Sequence, residues 1–173
     1  MDENPWETTG EDENRGPRRV EERDVEVAGV WEARPADADD NAEDGPVRET
    51  FVQLRDRRGR ELPIFIGPFE AMSIVHALGG EATERPLAHD LLRNLVEKLG
   101  ARIDRIVIDD VFQGTFYARI LLEDAGGKSL ELDARPSDAI ALGLRAGVPI
   151  RVAESVLAEA GHTRPNESSE NDD

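Results

Sequence analysis

Four polar residues, Asp133, Arg135, Ser137 and Asp138, lie where a strand pattern gives way to a helix pattern. Open α/β sheets place their ligands at the carboxyl ends of strands, and the amino end of a helix favours anions. A guanidinium group such as that of Arg135 can hold a phosphate through two parallel hydrogen bonds. The segment therefore predicts a phosphate site, with Arg135 and Ser137 as the groups that bind the substrate.

The same residues also have a structural interpretation. Ser137 would serve as the N-cap of the helix and Asp138 as an acid in its first turn, and both are common uses of these residue types. Arg135 would then pair with Asp133, or with Glu70 in the first turn of an earlier helix. The pattern alone leaves phosphate binding and ion pairing open.

A histidine and an aspartate, His89 and Asp90, lie next to each other on a helix with a strong apolar stripe. The stripe, which predicts a buried face, is formed by Leu87, Leu91, Leu92, Leu95, Val96 and Leu99. His89 lies at the edge of this face and Asp90 on the polar side. His89 would act as a general base or a metal ligand beside Asp90, or as a boundary histidine that is hydrogen-bonded to the backbone.

Alternating groups of strands and helices must position these side chains. Period-two alternation predicts several strands, and in the first of them, near 24–32, the alternation shifts by one residue before Val30. Glycine and proline residues end one helix at Gly79-Gly80 and begin another at Pro136-Ser137. The predicted order is β-β-β-α-α-β-β-β-α-β-α. Such an order indicates an α/β (α+β) fold in which helices pack against a mixed sheet.

The length of 173 residues fits one domain with acidic segments around it. Residues 1–19 and 162–173 carry many charges and few apolar groups, which predicts disordered tails on either side of a domain at 20–161. An acidic loop is predicted near 36–45. The formal net charge is -17, and only two of the 21 basic residues are lysines. This balance favours a salt-adapted protein, or else an acidic mesophilic protein from a GC-rich genome. No secretory signal pattern is visible, which makes a cytoplasmic protein the default expectation.

Several classes of site are excluded by what the sequence lacks. It has no cysteine, which excludes disulfides and thiolate metal sites. It also has no glycine-rich phosphate loop, nucleophilic serine elbow, zinc spacing or apolar run of membrane-spanning length. One basic cluster would either contact phosphates or form a solvated turn, and it consists of Arg55, Arg57, Arg58 and Arg60.

Four ordered stretches carry a resemblance to a known family. They are Leu62–Ala71, Arg85–Leu92, Gly114–Arg119 and Asp133–Leu142. In order and spacing they resemble the bifunctional nuclease family, whose plant members are described as degrading both DNA and RNA. The resemblance covers about residues 24–161, and the acidic loop near 36–45 looks longer than is usual in the family.

The resemblance implies metal-assisted hydrolysis of phosphodiester bonds in DNA and RNA, with a divalent ion such as Mg²⁺ held by carboxylates. On that basis Glu70, Asp90 and Asp133 are expected to bind metal. Catalytic roles are expected for His89, Asp133 and Asp138. A homo-oligomer is also expected, because an open sheet edge invites association. The competing hypothesis is a non-catalytic binding or regulatory domain with a structural Asp/Arg cluster, which the net acidity favours.

Overall fold

The fold is given by a computed structural model, which describes residues 20–34, 48–80 and 84–163. The predicted tail at 1–19 and the predicted loop near 36–45 lie outside these ranges. The same holds for residues 164–173 of the second predicted tail.

Eight strands and four helices make up the described part of the chain. The strands are β1 (Glu22–Ala33), β2 (Glu49–Asp56), β3 (Arg60–Ile66), β4 (Arg102–Phe112), β5 (Thr115–Glu123), β6 (Ser129–Ala134), β7 (Ile150–Ala153) and β8 (His162–Thr163). The helices are α1 (Pro68–Gly79), α2 (Ala88–Lys98), α3 (Pro136–Ala146) and α4 (Glu154–Ala160). Within the described ranges, no helix has the length and apolar character needed to cross a membrane.

All eight strands join one sheet in the order β6-β5-β4-β7-β1-β2-β3-β8. The β4–β7 pair is parallel and the other neighbours are antiparallel. This arrangement confirms the predicted α/β fold with a mixed sheet. The short strand β8 was not predicted, and its pairing with β3 continues the sheet beyond the expected domain end at residue 161.

The predicted shift of alternation in the first strand is confirmed as a β-bulge. The register between β1 and β2 changes between Val27 and Gly29. A bulge adds one residue to one strand, so the alternation of the side chains that follow is shifted by one position. Val25, Val27 and Val30 therefore all pack against the core, whereas Trp31 is 56% exposed.

Helix α3 lies against the core face of the sheet and begins at the predicted site. It contacts β4 and β5, and both α1 and α2 pack against it. Gly143 allows this close approach, because a Cβ atom there would lie 2.6 Å from a side-chain carbon of Ile106. The position of α3 on β4 therefore fixes where its amino end lies.

The prediction that the leucine stripe of α2 is buried was wrong. Leu91 is 60% exposed, Leu95 51% and Leu99 72%, and no residue of α2 is fully buried. The helix rests on α3 partly through polar contacts, such as the hydrogen bond from Arg93 to the carbonyl of Arg145 at 3.0 Å. Val96 packs against the core, whereas the leucines of the stripe remain exposed.

Two arginines of the predicted basic cluster are engaged in ion pairs. Arg60 contacts Asp56 at 2.8 Å and Glu154 at 2.7 Å, and it lowers the pKa of Glu154 to about 2. Arg55 pairs with Glu61 at 2.8 Å. These two side chains tie the β2–β3 hairpin together and to α4, so they contribute little to a basic surface.

Candidate active site

Four of the predicted site residues meet at the amino ends of α1, α2 and α3. Arg135 donates from Nε to Oδ2 of Asp138 at 2.8 Å and from Nη2 to Oδ1 at 3.2 Å. Its Nη1 donates to Oε1 of Glu70 at 3.1 Å. Asp138 Oδ1 lies 3.3 Å from Nε2 of His89. One guanidinium group thus joins two carboxylates, and one of these carboxylates contacts the histidine.

Local sequence places these side chains. Any side chain at Gly67, the N-cap of α1, would collide with the carboxylate of Glu70. Pro136 occupies the first helical position of α3, which suits a residue without an N–H and makes Arg135 the N-cap. The interpretation of Ser137 as the N-cap was therefore wrong. Ser137 is the second residue of the helix and is 7% exposed.

Ser73, which the sequence analysis did not single out, also contacts His89. Its Oγ lies 2.9 Å from Nδ1 of the ring. Ser73 is three residues after Glu70 on α1, so both side chains project from one side of that helix. We call Glu70, Ser73, His89, Arg135 and Asp138 the Arg135 cluster. A single hydroxyl in an apolar helix gives a weak signal in sequence, because its partner lies on another helix.

The charges in the cluster determine where one proton of the histidine lies. Burial alone would raise the pKa of Asp138, but the hydrogen bonds and charge of Arg135, helped by His89, hold the pKa below its ordinary value. An ionised carboxylate can only accept hydrogen bonds. The 3.3 Å contact therefore places a proton on Nε2 of His89, and the hydroxyl of Ser73 can serve Nδ1 as donor or acceptor.

Arg135 is accessible to a ligand. Its side chain is 66% exposed, and the described contacts use three of its five N–H groups. Together with Gly67, Glu70 and Ser137 it lines a groove of about 350 Å³. The amino end of α3 lies at the same groove, and such an end favours an anion. The groove can accept a phosphate group on the outer edge of Arg135.

Asp90 belongs to a different set of contacts. Its Oδ2 accepts the backbone N–H of Leu87 at 3.0 Å, which closes the start of α2. Its Oδ1 accepts from Nε of Arg145 at 3.0 Å, and the side chain of Arg145 is only 4% exposed. These contacts join α2 to the end of α3.

Asp133 lies on the other side of the sheet. It is exposed and pairs across the β5–β6 ladder with Arg119, whose side chain forms ion pairs with Asp109 and Glu131. Directly opposite residues of an antiparallel pair share a face. The next residue, Ala134, packs against the core. The structure therefore separates Asp133 from the Arg135 cluster.

The three predicted metal ligands, Glu70, Asp90 and Asp133, do not lie together. Among residues 20–34, 48–80 and 84–163, no three His, Asp or Glu side chains are placed to hold one metal ion. Glu70 and Asp138 do approach each other, but the guanidinium of Arg135 bridges them. The residues present do not fit a divalent ion held by these carboxylates, because a fixed cation already satisfies the pair.

A comparison with protein families identifies the chain. The sequence model of the bifunctional nuclease domain matches residues 52–165, a range that contains all five members of the Arg135 cluster. The chain belongs to the bifunctional nuclease domain family. In this bifunctional nuclease domain, strand β1 precedes the matched residues 52–165, whereas β3 and all four helices lie within them.

Relatives of this bifunctional nuclease domain occur in bacteria and plants. An uncharacterized protein of Mycobacterium tuberculosis (strain H37Rv) is 43% identical over 126 residues, which cover 72% of this chain and 74% of the relative. Bifunctional nuclease 2 of Arabidopsis thaliana is 27% identical over 62% of this chain and 33% of its own length. Bifunctional nuclease 1 of Oryza sativa subsp. indica is 25% identical over 67% of this chain and 36% of its own length. The match spans about a third of each of these plant proteins.

Proposed function

We propose that this protein hydrolyses phosphodiester bonds in DNA and RNA at the Arg135 cluster. The observation that carries the proposal is an accessible guanidinium group that binds two carboxylates, Glu70 and Asp138, the second of which contacts His89. The similarity to plant proteins named bifunctional nucleases supports the same chemistry.

The exposure of Arg135 argues for a chemical role rather than a structural one. Ion pairs of solvent-exposed side chains contribute only about 0–1 kcal/mol to stability. A guanidinium group that is 66% exposed therefore stabilises the fold little, even with two carboxylate partners. The same exposure is what a phosphate ligand needs.

The proposed mechanism uses an acid and a base on opposite sides of the phosphate. Arg135 binds the non-bridging oxygens and neutralises the charge that develops on them. Glu70 takes a proton from a water molecule, whose oxygen attacks the phosphorus. The bond from phosphorus to the leaving sugar oxygen breaks, and the imidazolium form of His89, whose Nδ1–H Ser73 accepts, gives that oxygen its Nε2 proton in place of Asp138 and becomes neutral. Exchange with solvent then moves a proton from Glu70 back to His89, which restores both groups. Because water and not the ribose 2′-hydroxyl attacks, the same steps cleave DNA and RNA.

Two further residues hold the histidine in place. Asp138 contacts Nε2 and Ser73 contacts Nδ1, so both ring nitrogens have a fixed partner. Arg135 in turn holds Asp138 through two hydrogen bonds. Asp138 and Ser73 are therefore positioning residues in this mechanism, and Glu70, His89 and Arg135 touch the reacting groups.

The purified protein should cleave single-stranded DNA and RNA, and cleavage should survive EDTA. Arg135 supplies the positive charge at the phosphate, and the predicted metal ligands do not lie together. The measurement is the cleavage rate in EDTA and in Mg²⁺, at low and at molar KCl. Cleavage that disappears in EDTA and returns with Mg²⁺ would place a metal ion in the reaction and contradict this assignment.

We further propose that copies of the chain associate through the exposed face of α1 and α2. The face is formed by Phe69, Met72, Val75, Leu78, Leu87, Leu91, Leu92, Leu95 and Leu99, each between 41% and 81% exposed. The largest apolar patch on a typical monomer covers roughly 300–600 Å². The exposed apolar surface of these nine side chains reaches the upper end of that range or exceeds it. This area approaches the ~800 Å² of surface that each partner of a stable complex buries.

A second copy can meet at this face although the chain is strongly acidic. A net charge of -17 makes two copies repel each other over most of their surface. An uncharged face is where such copies can meet. We also propose a salt-rich cytoplasm as the setting, since salt screens the remaining repulsion.

Replacing Leu91 and Leu95 together by glutamate should convert the oligomer into a monomer. Burying two carboxylates in an apolar interface costs more than the interface gains. The measurement is molar mass by light scattering at molar KCl. Phe112→Glu serves as the control, because Phe112 is 62% exposed but lies on the β4–β5 hairpin. A wild-type protein of monomer mass would overturn the proposal.

A further inference from the structure

An aromatic cleft lies on the outer face of β1 and β2, away from the helices. It has a volume of about 750 Å³, and its walls include Glu26, Trp31, Phe51, Gln53 and Arg55. On β2, alternate residues Val52 and Leu54 belong to the core. The side chains of the cleft therefore project from the opposite face. Neither the Arg135 cluster nor the proposed interface uses this surface.

Gln53 gives the cleft a specific hydrogen-bonding group. The residue is 5% exposed, and within the described ranges its Nε2 has no hydrogen-bond partner. Buried polar groups in proteins are almost always paired, because leaving one unpaired is costly. Because Gln53 lines the cleft, we expect its buried amide to turn toward the cleft and donate an N–H to the carbonyl oxygen of a ligand.

Trp31 gives the cleft a flat apolar surface. The residue is 56% exposed, and its indole lies over Gly29. A Cβ atom at Gly29 would lie 3.3 Å from three atoms of that ring, which is tighter than usual packing. Because Gly29 has no side chain, the indole packs directly on the backbone there, and the backbone supports one face of the ring. An exposed, supported indole is suited to stacking against a second flat ring.

Aromatic rings connect the cleft to the Arg135 cluster. Phe51, in the cleft, and Phe65 have ring centroids 5.6 Å apart. Phe65 is 58% exposed and also lines the groove that contains Glu70 and Arg135. Proteins that bind single-stranded nucleic acids stack bases on aromatic side chains along such a path. Arg55 at the cleft pairs with Glu61 at 2.8 Å and with Glu26 at 3.8 Å, and its side chain is still 41% exposed, so a phosphate could reach it.

We propose that the cleft binds a nucleobase of a single-stranded nucleic acid whose backbone continues to Arg135. The base stacks on Trp31, and a ring carbonyl of the base accepts a hydrogen bond from Nε2 of Gln53. Thymine, uracil, guanine and cytosine carry such a carbonyl, and adenine does not. The site therefore prefers carbonyl-bearing bases over adenine. This proposal rests on the proposed function, because it takes the ligand to be the substrate of the Arg135 cluster.

Fluorescence of Trp31 tests the proposal directly. The chain has two tryptophans, so a full-length Trp6→Phe variant leaves Trp31 as the reporter. A His89→Gln substitution in the same chain should slow cleavage by roughly 10²- to 10⁴-fold, which keeps the oligonucleotide intact during a short titration. Oligo(dT) should quench the fluorescence at lower concentration than oligo(dA) of the same length, because stacking places a base on the indole. No quenching, or equal affinity for the two oligonucleotides, would overturn the proposal.

Two substitutions separate binding from structure, with affinity measured by anisotropy of a labelled oligo(dT). Trp31→Ala should weaken binding roughly 5- to 150-fold, the equivalent of one lost base stack. Gln53→Met keeps the shape of the side chain but removes the amide, so it should weaken binding without lowering the melting temperature. Tyr117→Ala is the control, since Tyr117 is 43% exposed and lies on β5. A Gln53→Met variant that melts early and binds normally would show that the amide is structural.

The two proposals fail in distinguishable ways. Quenching and binding are read in a protein whose cleavage is slowed, so they do not depend on the activity of the Arg135 cluster. A wild type that binds oligo(dT) through Trp31 but cleaves nothing would remove the nuclease function and keep the base site. A wild type that cleaves, with Trp31→Ala and Gln53→Met cleaving at the same KM and kcat, would remove the base site and keep the nuclease.

Discussion

His89→Gln should reduce cleavage of DNA and RNA by roughly 10²- to 10⁴-fold, which is the usual contribution of general acid catalysis. Glutamine can still hydrogen-bond to Ser73 and Asp138, but it cannot transfer a proton. The loss should appear in kcat and leave KM nearly unchanged, because Arg135 still holds the phosphate. The measurement is steady-state cleavage of a labelled oligonucleotide, combined with thermal unfolding of the same preparation.

His76→Gln is the matched control for this experiment. His76 lies on α1 and lines the same apolar groove between α1 and α2 that Ser73 and His89 line. The described structure shows no hydrogen bond of His76 to the Arg135 cluster. If both variants cleave at the wild-type rate, the histidine has no part in the reaction. If the His89→Gln variant has a much lower melting temperature than the His76→Gln variant, the contacts of His89 stabilise the fold.

Arg135→Lys should lower the cleavage rate, whereas Arg145→Lys should lower the stability of the fold. Both arginines contact carboxylates near the end of a helix, but Arg135 is 66% exposed and Arg145 only 4%. Arg135→Lys should lose about 10²- to 10³-fold in cleavage, as expected when a main stabiliser of transition-state charge is lost. An ammonium group has only three N–H donors, so it cannot keep the three hydrogen bonds to Asp138 and Glu70 and also bind a phosphate through two. The stability of this variant should change by less than about 1 kcal/mol.

Arg145→Lys should instead destabilise the protein and leave the cleavage rate of folded molecules intact. Arg145 donates to Asp90 at 3.0 Å and to the carbonyl of Ala141 at 2.9 Å. A lysine cannot make both bonds, and each lost bond to a charged group costs about 1.5–3 kcal/mol. Urea unfolding and cleavage are measured on both variants. If the wild type does not cleave and the Arg135→Lys variant melts at a lower temperature than the wild type, the results would support the competing hypothesis of a non-catalytic domain with a structural cluster.

The sequence predicts the elements well and the contacts between them less well. Turn residues and alternation were enough to predict most strands and helices and the shift of alternation before Val30, which the structure shows as a bulge, because these features depend on neighbours in the chain. The stripe on α2 showed that one face avoids water. It did not show that most of this face remains exposed in the described structure, since a stripe that packs on α3 and a stripe left on the surface have the same pattern.

The candidate site was partly predictable for a similar reason. Asp133 and Arg135 are two residues apart, and in a continuous strand they would share a face. The strand ends at Ala134, however, and Arg135 begins the turn into α3, so the two side chains diverge. The roles of Ser73 and Gln53 depend on packing across the fold. A serine in a helix and a glutamine in a strand have no distinctive pattern in a single sequence.

The position of β7 has a consequence for how the chain folds during synthesis. The first three strands are complete at Ile66, and the next three at Ala134. In the finished sheet, however, β1 and β4 are both covered by β7, which consists of only the four residues Ile150–Ala153. Ribosomes add about 5–20 residues per second, so the edge of β1 remains unpaired for several seconds. Uncovered strand edges pair readily with other chains. The nascent protein is therefore most exposed to aggregation before its seventh strand emerges, and the last part of the chain completes the centre of its sheet.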